Sequence, residues 1–302
     1  MVKKSFATKT ESSTPSKEPR FADTGFTDEE WHHFEKTGLI IRRGVFKPSE
    51  VEVLRANCQA FETIAAELSS PVEGGFRHTL AVSPDFTRLV CDQRLLGLAY
   101  DIFGEMTALH SFDLFIRPPG GEKEHPWHID GPRRLPYAQF SSALPHVLKI
   151  GIWLTDVEEI EHSAYQYVPG SHLQPCVEAY GQSRSLRGQE TLRVRAGDIS
   201  VHHCDLWHHV TPNRGPRTRY NFFIAYSPSW ISPREPFDDV GSHPDLPLLE
   251  TLLRRYKDLT HRFKPPADEI PVHPNADSAL MQGSRFGRPP IASRPHRRTK
   301  ND

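Results

Sequence analysis

The sequence lacks any long hydrophobic run. No apolar stretch in its 302 residues approaches the roughly 20 residues that a transmembrane helix needs. Residues 1–5 are not followed by a hydrophobic core, so no secretory signal is predicted, and Glu11 and Glu18 argue against a transit peptide. We therefore expect a soluble cytoplasmic protein that makes no membrane contact.

Cysteine is scarce and scattered. The sequence has four cysteines, Cys58, Cys91, Cys176 and Cys204, and no two of them form a C-x-x-C pair. In a chain without a secretory signal this pattern indicates reduced thiols rather than a disulfide framework. Cys204 lies among histidines, but a thiolate ligand would bias a metal site toward softer metals, so we do not favour it as a ligand.

The sequence also lacks an excess of charge of one sign. Its 37 Lys and Arg residues balance 38 Asp and Glu residues, which gives a net charge of −1 and predicts no nucleic-acid partner. The oligomeric state stays open. A hydrophobic content of 37% and 27 prolines indicate one packed domain with polar tails. We predict a disordered tail at 1–25, a folded domain at 26–264 and a proline-rich basic tail at 265–302.

Helical patterns come first along the chain, and strand patterns follow. Residues 27–30 have the form of a capping box, and Gly38 is a helix stop. Apolar spacing predicts further helices after Pro48, over 94–103 and over 247–263. Short apolar runs between Pro- and Gly-rich turns predict strands at 112–116, 147–154, 165–168, 199–203 and 219–226. This order indicates a mainly β domain with flanking α-helices.

Histidine, by contrast, is abundant, with 17 residues. His128 and Asp130 are two positions apart, so in an extended strand both side chains project to one face. Two histidines and one carboxylate that leave other positions open form the ligand set of non-heme Fe(II) oxygenases. The second histidine must come from further along the chain, where His202, His203, His208 and His209 compete. We choose His208 as the ligand, with His203 as a neighbour that orients it.

Arg219 begins the apolar run at 219–226. A guanidinium on a core strand needs an anionic partner, and a dicarboxylic cosubstrate would provide one. Asn221 projects to the same face and could donate to the same carboxylate. Alternatively, Arg219 forms a structural salt bridge with a core carboxylate, and Trp153, in another apolar run, is an ordinary core residue.

Together these residues resemble the phytanoyl-CoA dioxygenase family over about residues 26–230. The likeness rests on 26–30 through Gly38, on 44–46, on Arg117-Pro118-Pro119-Gly120 before Trp127-His128-Ile129-Asp130, on Trp153 and Asp156, on Val168-Pro169-Gly170-Ser171-His172, on Ala196-Gly197-Asp198, and on His208, Asn213 and Arg219. The family fold is a double-stranded β-helix, a jelly-roll relative of the cupins.

The resemblance implies that Fe(II) is held by His128, Asp130 and His208. It also implies that Arg219 binds the distal carboxylate of 2-oxoglutarate and that Trp153 lines the cosubstrate pocket. Arg117 and Asn221 are expected to bind the cosubstrate as well. His209 stands where the family commonly has a glycine and could narrow the pocket.

The implied activity is that of an Fe(II)- and 2-oxoglutarate-dependent dioxygenase. Such an enzyme uses O2 to oxidise a C–H bond of a small molecule and releases succinate and CO2. Related halogenases have a small residue in place of the carboxylate, so Asp130 favours hydroxylation. Two alternatives stay open, namely a cupin-like metal-dependent isomerase or binding protein without redox chemistry, and an oxygenase acting on a protein. Residues 131–146, with Arg133 and Arg134, could form a lid that meets an anionic group, or a solvated loop.

Overall fold

The computed structural model describes residues 24–68, 75–122, 124–131, 145–174, 181–243 and 245–254. Almost all of the predicted tail at 1–25, the tail at 265–302 and most of the predicted lid lie outside these ranges. Five α-helices are described, α1 Asp28–Thr37, α2 Pro48–Leu68, α3 Pro84–Val90, α4 Gln93–Phe103 and α5 Pro247–Leu252. Within the described ranges, no helix is both long enough and apolar enough to cross a membrane.

Among the described residues, ten strands form two sheets. They are β1 Leu39–Arg42, β2 Gly75–Phe76, β3 Thr107–Arg117, β4 His125–His128, β5 Leu148–Trp153, β6 Tyr165–Tyr167, β7 Glu190–Thr191, β8 Ile199–His203, β9 His208–Val210 and β10 Arg219–Pro228. The larger sheet has the order β1-β8-β5-β10-β3-β2, and the smaller has the order β4-β9-β6-β7. Every pairing is antiparallel. The prediction of a double-stranded β-helix with flanking helices is confirmed.

Local sequence explains how α1 begins and ends. The Thr27 hydroxyl accepts from the Glu30 amide at 3.1 Å, and the Glu30 carboxylate accepts from the Thr27 amide at 2.9 Å. This reciprocal pair is the predicted capping box. The helix ends at Gly38, whose φ of 79° favours glycine. A Cβ at this position would lie 2.6 Å from Nδ1 of His172, so the close approach also requires glycine.

The six-stranded sheet has a different role on each face. Phe222 and Ile224 of β10 belong to the large apolar core that includes side chains of all five helices. Phe223, one position along, belongs to a second core with Trp153 and Tyr165, on the side of the four-stranded sheet. Strand alternation therefore separates a helix-covered face from a face that opens toward the smaller sheet.

Periodicity did not predict several of the short elements. α3 has seven residues, β4 has four and β9 has three. Elements of this length have too few positions for a helical or alternating pattern to appear. Two of them contain predicted site residues, since β4 contains His128 and β9 contains His208.

Candidate active site and metal centre

A cleft between the two sheets collects the predicted site residues. It encloses about 610 Å³ of empty space, its open mouth included. Its lining includes Arg117, His128, Asp130, Lys149, His208 and Arg219. Trp153 and Asn221 stand in register across β5 and β10, on the same face as Arg219.

The three predicted metal ligands lie together in this cleft. One ligand atom from each of His128, Asp130 and His208 lies within 4.8 Å of the others. Nε2 of His128 is 3.9 Å from Oδ1 of Asp130, and Nε2 of His208 is 3.7 Å from Oδ2. Asp130 lies beyond the end of β4, where its amide donates to the Cys204 carbonyl at 2.9 Å. A loop contact, rather than strand alternation alone, thus directs the carboxylate into the cleft.

Both imidazoles are oriented for a metal ion. Nδ1 of His128 lies 2.7 Å from the Pro126 carbonyl, and Nδ1 of His208 lies 2.9 Å from the Leu206 carbonyl. A neutral ring that donates through Nδ1 keeps its Nε2 lone pair free for coordination. Burial is the largest cause that lowers the pKa of His128 to about 2 and that of His208 to about 3. This donor set fits a divalent metal ion that binds imidazole and carboxylate.

Lys149 faces the same ligands, although sequence reasoning did not select it. Its Nζ lies 2.7 Å from Oδ2 of Asp130 and 4.6 Å from the centre of the Phe223 ring. Burial opposes the charged form of Asp130, but Lys149 and the two histidines together hold the pKa of this carboxyl well below its usual value. The sequence feature that could have pointed to it is the position of a lysine inside the otherwise apolar run of β5.

Arg219 is buried at the other end of this face of the sheet. Its guanidinium donates to the Ser163 carbonyl, and its centre lies 5.5 Å from the Trp153 ring. Within the described part of the chain, no carboxylate pairs with Arg219, and its Nε has no hydrogen-bond partner. The buried side-chain amide of Asn221 also lacks partners there. A buried cation without a carboxylate partner and a buried amide without hydrogen bonds can both bind a carboxylate, such as one end of 2-oxoglutarate.

Arg117 and Trp153 frame the same end. Arg117 pairs in register with Arg219 across β3 and β10, and its guanidinium lies 3.4 Å from the Ser163 hydroxyl. Trp153 is fully buried and donates through Nε1 to Ser200 at 2.8 Å, so it also serves as a core residue. Burial, followed by the charge of Arg117, shifts the pKa of Arg219 well below its usual value.

The expectation that His203 stands beside the metal ligands is wrong. Its ring packs against His172 and Phe34 of α1, on the helix-covered face. Its neighbour His202 takes the inner position, because adjacent residues of β8 face opposite sides. The His202 ring meets the Tyr165 ring at 4.7 Å, and Tyr165 in turn stacks on His208 at 4.7 Å.

Two further histidine features have ordinary structural roles. His209 packs on Trp127 with ring centres 5.5 Å apart, and Nδ1 of His209 lies 3.2 Å from Gln166. It points away from His208 and does not narrow the cleft. His203, Cys204 and Asp205 also place ligand atoms within 4.8 Å of one another, but the Asp205 amide occupies Nδ1 of His203 at 3.1 Å.

Comparison with known proteins agrees with this geometry. The model of the phytanoyl-CoA dioxygenase (PhyH) family matches residues 34–221, which is more than half of the chain. The ectoine dioxygenase of Bordetella bronchiseptica is 26% identical over 248 residues, covering 70% of this chain and 78% of that protein. The ectoine dioxygenase of Halomonas elongata is 27% identical over 227 residues, covering 64% and 68%.

Solved structures share the fold. HygX from Streptomyces hygroscopicus, determined with nickel and 2-oxoglutarate bound, aligns with a TM-score of 0.60 and 21% identity over 74% of this chain and 94% of HygX. The α-ketoglutarate-dependent carbocyclase SnoK from nogalamycin biosynthesis aligns with a TM-score of 0.54 and 24% identity over 68% and 85%. The chain belongs to the phytanoyl-CoA dioxygenase family of Fe(II)- and 2-oxoglutarate-dependent oxygenases.

Proposed function

We propose that His128, Asp130 and His208 hold Fe(II), that Arg219 and Asn221 bind the distal carboxylate of 2-oxoglutarate, and that the enzyme hydroxylates a C–H bond of a small molecule. One observation carries the proposal. Two neutral imidazoles and a carboxylate converge in one cleft, and a buried guanidinium without a carboxylate partner among the described residues stands on the same sheet.

Each side chain has a task that its surroundings support. When bound, iron and 2-oxoglutarate use O2 to supply an oxidant able to break a C–H bond, with succinate and CO2 as products. The carbonyls of Pro126 and Leu206 keep Nε2 of both histidines directed at the metal position. Lys149 holds one oxygen of Asp130, which favours coordination through the other. Arg219 supplies a buried charge that fixes one end of the cosubstrate.

A small-molecule substrate is supported by the relatives. Two of them are ectoine dioxygenases, and HygX has also been determined with hygromycin B bound. We further propose that the enzyme works in the cytoplasm, where its described free cysteines, Cys58, Cys91 and Cys204, would remain reduced.

The proposal is tested first without O2 and then with it. Under anaerobic conditions, Fe(II) followed by 2-oxoglutarate should produce the visible charge-transfer absorption of the chelate, and admission of O2 should yield succinate. His128→Ala should lose both signals, whereas His203→Ala, the matched control on the helix-covered face, should keep them. A protein that binds Fe(II) but never consumes 2-oxoglutarate would favour the non-redox alternative.

A further inference from the structure

Positive charge is in excess in the lining of the cleft. Its lining contains five cationic side chains, Arg77, Arg117, Lys149, Arg219 and Arg234, but only two carboxylates, those of Asp113 and Asp130. Lys149 pairs with Asp130. Arg219 is assigned above to the cosubstrate, and Arg117 stands in register beside it at the same end of the sheet. Arg77 and Arg234 therefore remain, with Asp113 between them.

These two guanidiniums share a single carboxylate. Arg234 donates to Oδ1 of Asp113, whose side chain is almost completely buried. Nε of Arg77 approaches the same oxygen only to 4.0 Å, which is beyond hydrogen-bond reach. Within the described ranges, Arg77 makes no hydrogen bond, and about half of its side chain is exposed. One positive charge and a full set of guanidinium donors therefore face the cleft.

A buried carboxylate fixes the backbone that carries both arginines. Glu235 directly follows Arg234 and accepts from the Phe112 amide at 2.7 Å and from the His78 amide at 2.8 Å. His78 directly follows Arg77 and has a φ of 57°, an unfavourable conformation for a residue with a side chain. Two distant segments are thus held against β3 at a conformational cost, which is more typical of a built site than of surface charges.

The position of this pair relative to the cosubstrate end is also informative. Asp113 and Arg117 are on the same face of β3, four residues apart, so they lie about 13 Å from each other along the strand. The arginine pair at Asp113 is therefore separate from the Arg117–Arg219 end. A molecule bound at this pair would occupy the open part of the cleft that also contains His128 and Asp130.

We propose that Arg77 and Arg234 bind an anionic group, a carboxylate or a phosphate, of the small-molecule substrate. This inference rests on the proposed function and adds the substrate class to it. Asp113 orients the two guanidiniums and neutralises one of their two positive charges. The bound anion neutralises the other. Two converging guanidiniums suit the planar oxygens of a carboxylate and the oxygens of a phosphate equally well.

The test uses protein loaded anaerobically with Fe(II) and 2-oxoglutarate, so that the metal and cosubstrate positions are filled. Calorimetric titrations with inorganic phosphate and with propionate measure which anion binds. A titration with choline, a cation, is the negative control. We expect 1:1 binding of at least one anion and none of choline. Arg77→Gln should weaken binding about tenfold, the loss of one charged hydrogen-bond donor, while Arg77→Lys should recover part of it.

Arg88→Gln is the matched control, because Arg88 is exposed on α3 and pairs with Asp85 outside the cleft. It should bind the anion as the wild type does. Equal anion affinity in Arg77→Gln and wild type, absence of saturable anion binding, or preference for choline would each overturn the inference. The charge-transfer absorption is recorded before any anion is added. Its failure to form would count against the proposed function, whereas a normal band with arginine-independent binding would count against this inference alone.

Discussion

Replacing Arg219 with methionine removes a buried cation while keeping most of the side-chain volume. If the guanidinium pairs with 2-oxoglutarate, the variant leaves the distal carboxylate of the cosubstrate in a water-poor pocket without a partner. Breaking a buried charge pair costs about 3–5 kcal/mol. At 1.4 kcal/mol per decade this corresponds to a rise of about two to three and a half decades in the dissociation constant for 2-oxoglutarate.

The same substitution should not destabilise the ligand-free protein. Arg219 is almost completely buried, and burial followed by the neighbouring charge of Arg117 shifts its pKa well below its usual value. A charged guanidinium at this position therefore opposes folding until an anion arrives. We expect Arg219→Met to melt at the wild-type temperature or above it in the absence of 2-oxoglutarate, and to lose most of the stabilisation that 2-oxoglutarate adds.

The assay combines anaerobic titration of the charge-transfer absorption with thermal melts, each with and without 2-oxoglutarate. Arg219→Lys should lie between wild type and Arg219→Met, because lysine restores the charge but not the two-pronged geometry. Arg214→Ala is the control, since this arginine is exposed and its only described ion pair is with Glu122. Unchanged cosubstrate affinity in Arg219→Met, or a clear loss of stability in the ligand-free protein, would return Arg219 to a structural role.

Three other predictions follow from the same structure. His208→Ala should lose Fe(II) affinity in an anaerobic titration while His203→Ala keeps it, and the reverse result would mean that the ligand is misassigned. Lys149→Met should destabilise the metal-free protein, because Asp130 loses its cation; a divalent metal should then raise the melting temperature more than in wild type, and equal shifts would contradict this reasoning. Gly38→Ala should lower the free energy of unfolding by at least about 1 kcal/mol, because the left-handed C-cap excludes a Cβ, and a neutral effect in urea melts would refute that account.

The sequence was sufficient for the elements with long patterns. The capping box at 27–30, the apolar stripe after Pro48 and the apolar run of β10 each contain enough positions to specify their element, so local reasoning predicted them. The choice of His208 over its neighbours could not rest on periodicity, because β9 has only three residues. It was made because His208 begins the segment that leads to Arg219, and the family resemblance then implied the same residue.

Other features depend on pairing between strands. Whether His202 or His203 faces the cleft is decided by the register of β8 on β5, where Lys149 stands opposite His202. A shift of one residue would exchange the two histidines, and no local pattern fixes that register. The meeting of Arg77 with Arg234 is harder still, since it joins segments 157 residues apart through a single buried glutamate, Glu235.

The charges of the cleft also imply a link between ligand binding and stability. Lys149 already has Asp130 as a partner, whereas Arg219 has no carboxylate partner among the described residues. A divalent metal bound to the other oxygen of Asp130 adds positive charge beside this lysine, while a dianionic cosubstrate supplies the anion that the arginine lacks. Because the metal and the cosubstrate add opposite charges to one low-dielectric cleft, each should strengthen the binding of the other. The rise in melting temperature with a redox-inactive metal and 2-oxoglutarate together should therefore exceed the sum of the rises that each ligand causes alone. A joint rise equal to that sum would show that the two ends of the cleft are electrostatically independent.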